Sequence, residues 1–267
     1  MGLRLSRCFV RQMKLGLVTY NIAKDWDLQT IIDRCKETGF EGVELRTTHA
    51  HGVEDTLTGP ERRRVREMFE SSSIKLVGLG TAFEFHSTDP SEVKRNIEGT
   101  KRYVVLARDV GAEEVKVRPN GLQLEAGVPK EKTLEQIGLA LRECGEFAKD
   151  YGIEIRLEVH GRGTQDPKCI RTIMEVADHE NVFVCWNSNN FEVVEGSIAA
   201  NFNLLRKWIR QVHMRDLYLE EYPWRELFTL LRKARFDGYC LAEIPESPDP
   251  VRVLRYYRAL WKELSSP

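Results

Sequence analysis

The chain has 267 residues, 42% of them apolar, and its 40 Lys and Arg stand against 41 Asp and Glu for a formal net charge of -1. That balance offers no global field to a polyanion, so no nucleic acid and no membrane surface is expected as a partner. No apolar run reaches the roughly 18 residues that a membrane span needs. The six cysteines are scattered with no CxxC pair, which reads as reduced, buried thiols in a cytoplasmic protein.

Residues 1–13 carry Arg4, Arg7 and Arg11, no acid, and no apolar core long enough for a secretory signal. They are expected to form a disordered basic extension. From Lys14 onward an apolar run followed by an amphipathic segment recurs eight times. The strands are predicted at Leu15–Tyr20, Gly42–Thr48, Ile74–Phe83, Glu114–Asn120, Glu154–Gly161, Val182–Asn189, Gln211–Leu217 and Tyr239–Glu246. Between the first two, Leu28, Ile31, Ile32 and Cys35 mark one helical face, with a stop at Gly39. Asp27, Thr58, Asp89, Asp166 and Asp249 are predicted N-caps, and Pro60, Pro90, Pro167 and Pro250 suit the first helical turn. No linker divides the chain, and no GxGxxG or GxxxxGK[ST] follows the first strand. Eight units with none left over predict a single-domain α/β fold, a (β/α)₈ TIM barrel over residues 14–264.

Strand parity then sorts side chains into barrel interior and helix-facing layer. In the fifth strand Ile155, Leu157 and Val159 alternate with Arg156, Glu158 and His160, so the polar set should point inward. The same rule sends Glu44, Arg46, Lys116, Arg118, Asn187, Asn189, His213, Arg215 and Glu243 inside. Polar groups are costly to bury unless they pair or bind a ligand, and these cluster toward the strand C-termini, where barrel enzymes keep their chemistry. His86, just past the third strand, is a further candidate for ligand contact, with Glu84 able to pair with it or with Lys116.

Strand five ending in LEVHG, strand seven in QVHMRD and strand eight in LAEIP resemble the sugar phosphate isomerase/epimerase family, whose fold is the xylose-isomerase-like TIM barrel. The resemblance runs from Lys14 to Leu264. It implies one divalent metal (Mn, Co, Mg or Zn) held by Glu158, His213 and Glu243, with Glu158 and Glu243 also serving as the catalytic acid/base pair. On strand six the family has an Asp and, three residues later, a His; this chain has Asn187 and Asn190 there. Asn187 is then the fourth metal ligand, a neutral amide that gives up one charge of attraction, and Asn190 takes a substrate-binding position.

The chemistry so implied is proton transfer next to a carbonyl, which needs a base, an acid and an electrophile on the carbonyl oxygen. The expected substrate is a small carbohydrate: a sugar, sugar phosphate or sugar acid. His86, Lys116, Arg118, His160, Asn190 and Arg215 are the substrate-binding candidates. The inward basic residues favour a ligand with an acidic group, held chiefly by Lys116 and Arg118. Two alternatives are a metal-free ligand-binding barrel without turnover and an endonuclease-IV-like DNA repair enzyme. A homo-oligomer is compatible with the sequence.

Overall fold

The structure, a computed structural model, describes residues 13–266. The basic stretch Met1–Gln12 lies outside the described residues. Met13, read from sequence as the end of the extension, is buried and packs with the barrel core.

Eight parallel strands close on themselves in chain order: β1 Lys14–Asn21, β2 Gly42–Arg46, β3 Lys75–Glu84, β4 Glu114–Arg118, β5 Glu154–Glu158, β6 Val182–Trp186, β7 Ile209–Met214 and β8 Tyr239–Ile244. A helix follows each: α1 Leu28–Thr38, α2 Gly59–Glu70, α3 Pro90–Val110, α4 Lys130–Lys149, α5 Pro167–Ala177, α6 Ala199–Leu205, α7 Trp224–Lys233 and α8 Pro250–Ser265. The ring closes where β1 pairs with β8, Leu15 opposite Cys240 and Leu17 opposite Ala242. No helix among the described residues is long and apolar enough to cross a membrane.

The five predicted caps are the observed ones. The Asp27 carboxylate accepts from the Thr30 amide at 2.8 Å, Asp89 from Ser91 at 2.8 Å and Asp166 from Lys168 at 2.9 Å. Such caps satisfy amides that the first turn leaves without a partner. Thr58 and Glu61 form a capping box, and Asp249 caps α8.

Six of the strands end sooner than the polarity pattern suggested, while β1 and β3 each run one residue further. β2 stops at Arg46 rather than Thr48, β4 at Arg118 rather than Asn120, β5 at Glu158 rather than Gly161 and β6 at Trp186 rather than Asn189. The cause is backbone geometry: Thr48, Asn120, Gly161 and Ser188 have φ of 65°, 57°, 94° and 46°. A left-handed residue breaks the pleat, and with it the alternation from which inward positions were counted.

Two separate apolar layers result. Ile155, Leu157 and Val159 are fully buried between sheet and helices, each contributing roughly 1.5–3 kcal/mol of transfer free energy. Inside the barrel, Val18, Val77, Tyr239 and Leu241 form their own small cluster. Around it the interior is polar, and glycine makes the room: a Cβ on Gly80 would collide with the Glu44 carboxylate.

Candidate functional site

The polar interior resolves into a connected network. Glu158, at the end of β5, is buried with both carboxylate oxygens engaged. Oε2 accepts from Lys116 Nζ on β4 at 2.5 Å, and Oε1 accepts from Asn187 Nδ2, just beyond β6, at 3.0 Å. His213 on β7 lies between the acids, its Nδ1 3.8 Å from Glu158 Oε1 and 3.7 Å from Glu243 Oε2. Glu158, His213 and Glu243 each offer a ligand atom, and these atoms lie within 4.8 Å of one another. Asn187, the fourth residue assigned from sequence, joins them through its bond to Glu158.

The other face of His213 is fixed. Nε2 donates to Glu44 Oε2 at 3.0 Å, and that oxygen also receives the Gln211 amide at 2.5 Å. Gln211 is held in that orientation because its carbonyl accepts from Arg156 at 2.5 Å. With Nε2 turned to Glu44, Nδ1 is the ring nitrogen that faces Glu158 and Glu243; it is buried and has no hydrogen-bond partner among the described residues. Burial disfavours charge on the ring, yet neighbours that include Glu44 and Glu158 raise its pKa well above the usual value. An orphaned imidazole nitrogen facing two carboxylates, backed by a third on the far side of the ring, is the arrangement in which histidine binds a divalent cation. The donor set therefore fits the metal that the family resemblance implied: Glu158, His213 and Glu243 could hold it, with Asn187 adjoining.

The two acids are pushed apart. Burial alone would raise the Glu158 carboxyl, but the Lys116 ammonium and His213 hold it well below the usual carboxylate range. Glu243 is raised by burial and by the neighbouring Glu158, which His213 and Lys116 offset only in part. Burial disfavours charge on Lys116, yet Glu158, Glu44 and Glu243 together keep it protonated.

The remaining sequence candidates divide. Arg118 gives a 2.5 Å bond to Glu84, which also receives Asn120 at 2.5 Å, and His86 Nδ1 lies 3.7 Å from the same carboxylate. Glu84 thus pairs with Arg118 rather than with Lys116. Glu158 engages Lys116 and Glu84 engages Arg118, whereas Arg46 donates to Thr47 and the Gly80 carbonyl and has no carboxylate within 4 Å among the described residues. Arg156, deeper in its strand, is consumed by Glu154 at 2.7 Å and by Gln211. His160 is half-buried and bonded through Nδ1 to Asn120 Oδ1 at 2.7 Å. Asn189 does not point inward: after left-handed Ser188 its amide turns to the Val159 carbonyl at 2.6 Å. Asn190 is exposed and accepts from Arg215 at 2.7 Å, while the Arg215 Nε donates to the Ser188 carbonyl at 3.0 Å. These two tie the loops after β6 and β7 together.

Sequence reasoning missed the support beneath that rim. Glu192, in the short 3-10 turn Asn190–Glu192, is fully buried and accepts from Tyr222 Oη at 2.6 Å. Tyr222 in turn accepts from Trp186 Nε1 at 2.8 Å. Burial pushes the Glu192 carboxyl up to about 8. Nothing local marks a loop glutamate as buried, so only the fold reveals it.

A cavity of about 750 Å³ lies at the opposite end of the barrel and is lined by Lys14, Arg206, Arg210, Lys233 and Arg235 among others. α6 and α7 end there, and cations at helix C-termini offset the exposed carbonyl ends. The chemistry-bearing groups are instead at the C-terminal end.

A family model described as the xylose isomerase-like TIM barrel matches residues 32–263. The chain belongs to this family. Among its relatives, the inosose isomerase of Bacillus velezensis is 23% identical over 218 residues, covering 79% of this chain and 74% of that protein. The inosose dehydratase of Mesomycoplasma hyopneumoniae is 21% identical over 216 residues, covering 66% and 71%. D-psicose 3-epimerase from Clostridium cellulolyticum H10, solved with D-tagatose, superposes with a TM-score of 0.81 at 14% identity, covering 96% of this chain and all of that one. The IOLI protein with a bound zinc atom superposes with a TM-score of 0.76 at 18% identity, covering 95% and 98%. At these identities the structural likeness speaks for the xylose isomerase-like barrel fold alone.

Proposed function

We propose that the chain is an isomerase or epimerase of a small carbohydrate, moving a proton at the carbon next to a carbonyl, with Glu158 as base and Glu243 as acid. The observation that carries this reading is the convergence on His213 of two carboxylates, Glu158 buried and Glu243 half-buried, with opposite protonation preferences. Neighbouring carboxyls pushed apart in this way divide into an acid and a base. Glu158, ionised and aimed by Lys116 and Asn187, takes the proton from carbon, and the electron pair moves toward the carbonyl. Glu243, three strands further round the ring, delivers its proton. Delivery to the same carbon on the other face inverts it; delivery to the former carbonyl carbon, with the hydroxyl proton of the first carbon passing in the same direction to the former carbonyl oxygen, isomerises the sugar. A divalent ion, when bound by Glu158, His213 and Glu243, would supply Lewis-acid polarisation of the carbonyl oxygen.

The names of the relatives support a small polyhydroxylated carbonyl compound as substrate. With Lys116 and Arg118 both engaged by carboxylates, the geometry favours a neutral sugar over a phosphate or sugar acid. The test is product analysis by NMR after incubation with inososes, ketohexoses and ketopentoses in the presence of Mn²⁺, Co²⁺, Mg²⁺ or Zn²⁺. Conversion of at least one neutral carbonyl sugar is expected. Conversion of none, or of acidic sugars alone, overturns the reading.

A further inference from the structure

The Lys116 side chain is 4% exposed, and Glu158 is the only carboxylate within 4 Å of its ammonium among the described residues. Its strand is fixed in place, since Thr81 Oγ1 donates to the Lys116 carbonyl at 2.6 Å. The ammonium sits on one oxygen of Glu158 while the Asn187 amide sits on the other. Both oxygens of Glu158, including the Oε1 that lies 3.8 Å from His213 Nδ1, therefore already receive a donor from the chain itself. A buried carboxylate needs such compensation, because an uncompensated charge in the interior is strongly destabilising. A dication placed beside Glu158, His213 and Glu243 meets a fixed positive charge a few ångströms away. Either the ammonium gives up Glu158 or the ion binds against its repulsion; in both cases affinity is lost.

We propose that Lys116 is an internal cation that competes with divalent metal for Glu158, acting as a positioning residue that holds the Glu158 carboxylate in place when no metal is bound and makes the metal weakly held and exchangeable. This rests on the reading above that Glu158, His213 and Glu243 form the metal site. Unlike a ligand, Lys116 should oppose loading, so its removal should strengthen binding of the ion while weakening the metal-free protein.

The experiment is calorimetric titration of Mn²⁺ into the metal-stripped wild type, Lys116→Met and Lys116→Arg, with thermal melts of each protein with and without Mn²⁺. Lys116→Met keeps the length and burial of the side chain without its charge. It should bind Mn²⁺ at least about tenfold tighter than wild type, whereas Lys116→Arg should stay within a few-fold of it. Lys116→Met should melt lower than wild type without metal and regain that loss on saturation, a rescue that a purely structural lysine would not give. If the variant folds only with Mn²⁺, that dependence is the same result in stronger form. Tight binding by wild type with equal or weaker binding by Lys116→Met overturns the competition and leaves the metal reading standing. Binding by neither protein overturns both.

Discussion

Glu192 is a carboxyl that the fold keeps protonated, and its replacement should change how stability depends on pH. Its Oε2 accepts from Tyr222, while Oε1 is buried with no hydrogen-bond partner among the described residues. Its folded pKa, pushed by burial to about 8, lies above the unfolded glutamate value of about 4.3. For an acid raised on folding, the native state binds more protons than the unfolded state between those two values. Stability from this group is then complete below about pH 4.3 and is lost as pH rises toward 8. Integration of the linkage relation gives a loss of about 2.5 kcal/mol between pH 5 and pH 7. Glu192→Gln keeps an acceptor for Tyr222 and cannot ionise, so this slope should vanish. Urea denaturation of both proteins at pH 5, 6, 7 and 8 measures it, the difference between the two curves removing every other titrating group. The variant should gain on wild type steadily from pH 5 to pH 8. Parallel curves would show that Glu192 ionises in the folded protein as freely as in the unfolded one, and would refute its burial as described.

Three further perturbations probe the site and its frame. Glu44→Gln weakens the acceptor that fixes His213 Nε2, and should lower Mn²⁺ affinity by about 10–100-fold in calorimetry, the usual effect of losing such support. Asn187→Asp exchanges the donor on Glu158 Oε1 for a second carboxylate; it should lower the melting temperature of the metal-free protein and tighten Mn²⁺ binding by about 1–3 kcal/mol. Leu157→Ala, fully buried between sheet and helices, should cost about 2–5 kcal/mol in urea unfolding with little change in Mn²⁺ affinity, since its side chain faces away from the barrel interior.

The barrel was legible in the sequence because each of its determinants is local. Alternation in Ile155-Arg156-Leu157-Glu158 declares a strand with one apolar face, and Asp89-Pro90 or Asp166-Pro167 announces a helix start. Parity placed Glu158, His213 and Glu243 inside the barrel, and the family resemblance singled them out as a group; their ligand atoms lie within 4.8 Å of one another. Parity failed only past the strand ends, as at Asn189, where one left-handed residue turned the chain over. The pairing of charges was less legible. Alternation places Lys116 and Arg118 inside but does not say which acid each one meets, because that depends on register between neighbouring strands. Lys116 stands opposite Arg156 across the β4–β5 ladder, which brings its ammonium to Glu158. Gln211, an ordinary amide in the sequence, becomes the link between Arg156 and Glu44 only when the ring closes.

The claim at the centre of this account is that Glu158 and Glu243 move a proton at carbon next to a carbonyl. Solvent exchange tests it without requiring the physiological substrate to be converted fully. The protein is incubated in D₂O with Mn²⁺ and a panel of neutral ketoses and inososes, and loss of the proton signal at the carbon beside the carbonyl is followed by NMR. Wild type should wash deuterium into at least one sugar, and Glu158→Gln and Glu243→Gln should each slow that exchange by about 10²–10⁴-fold while retaining the wild-type fold by circular dichroism. Exchange that persists undiminished in both variants, or no exchange by wild type with any sugar of the panel, would contradict the account.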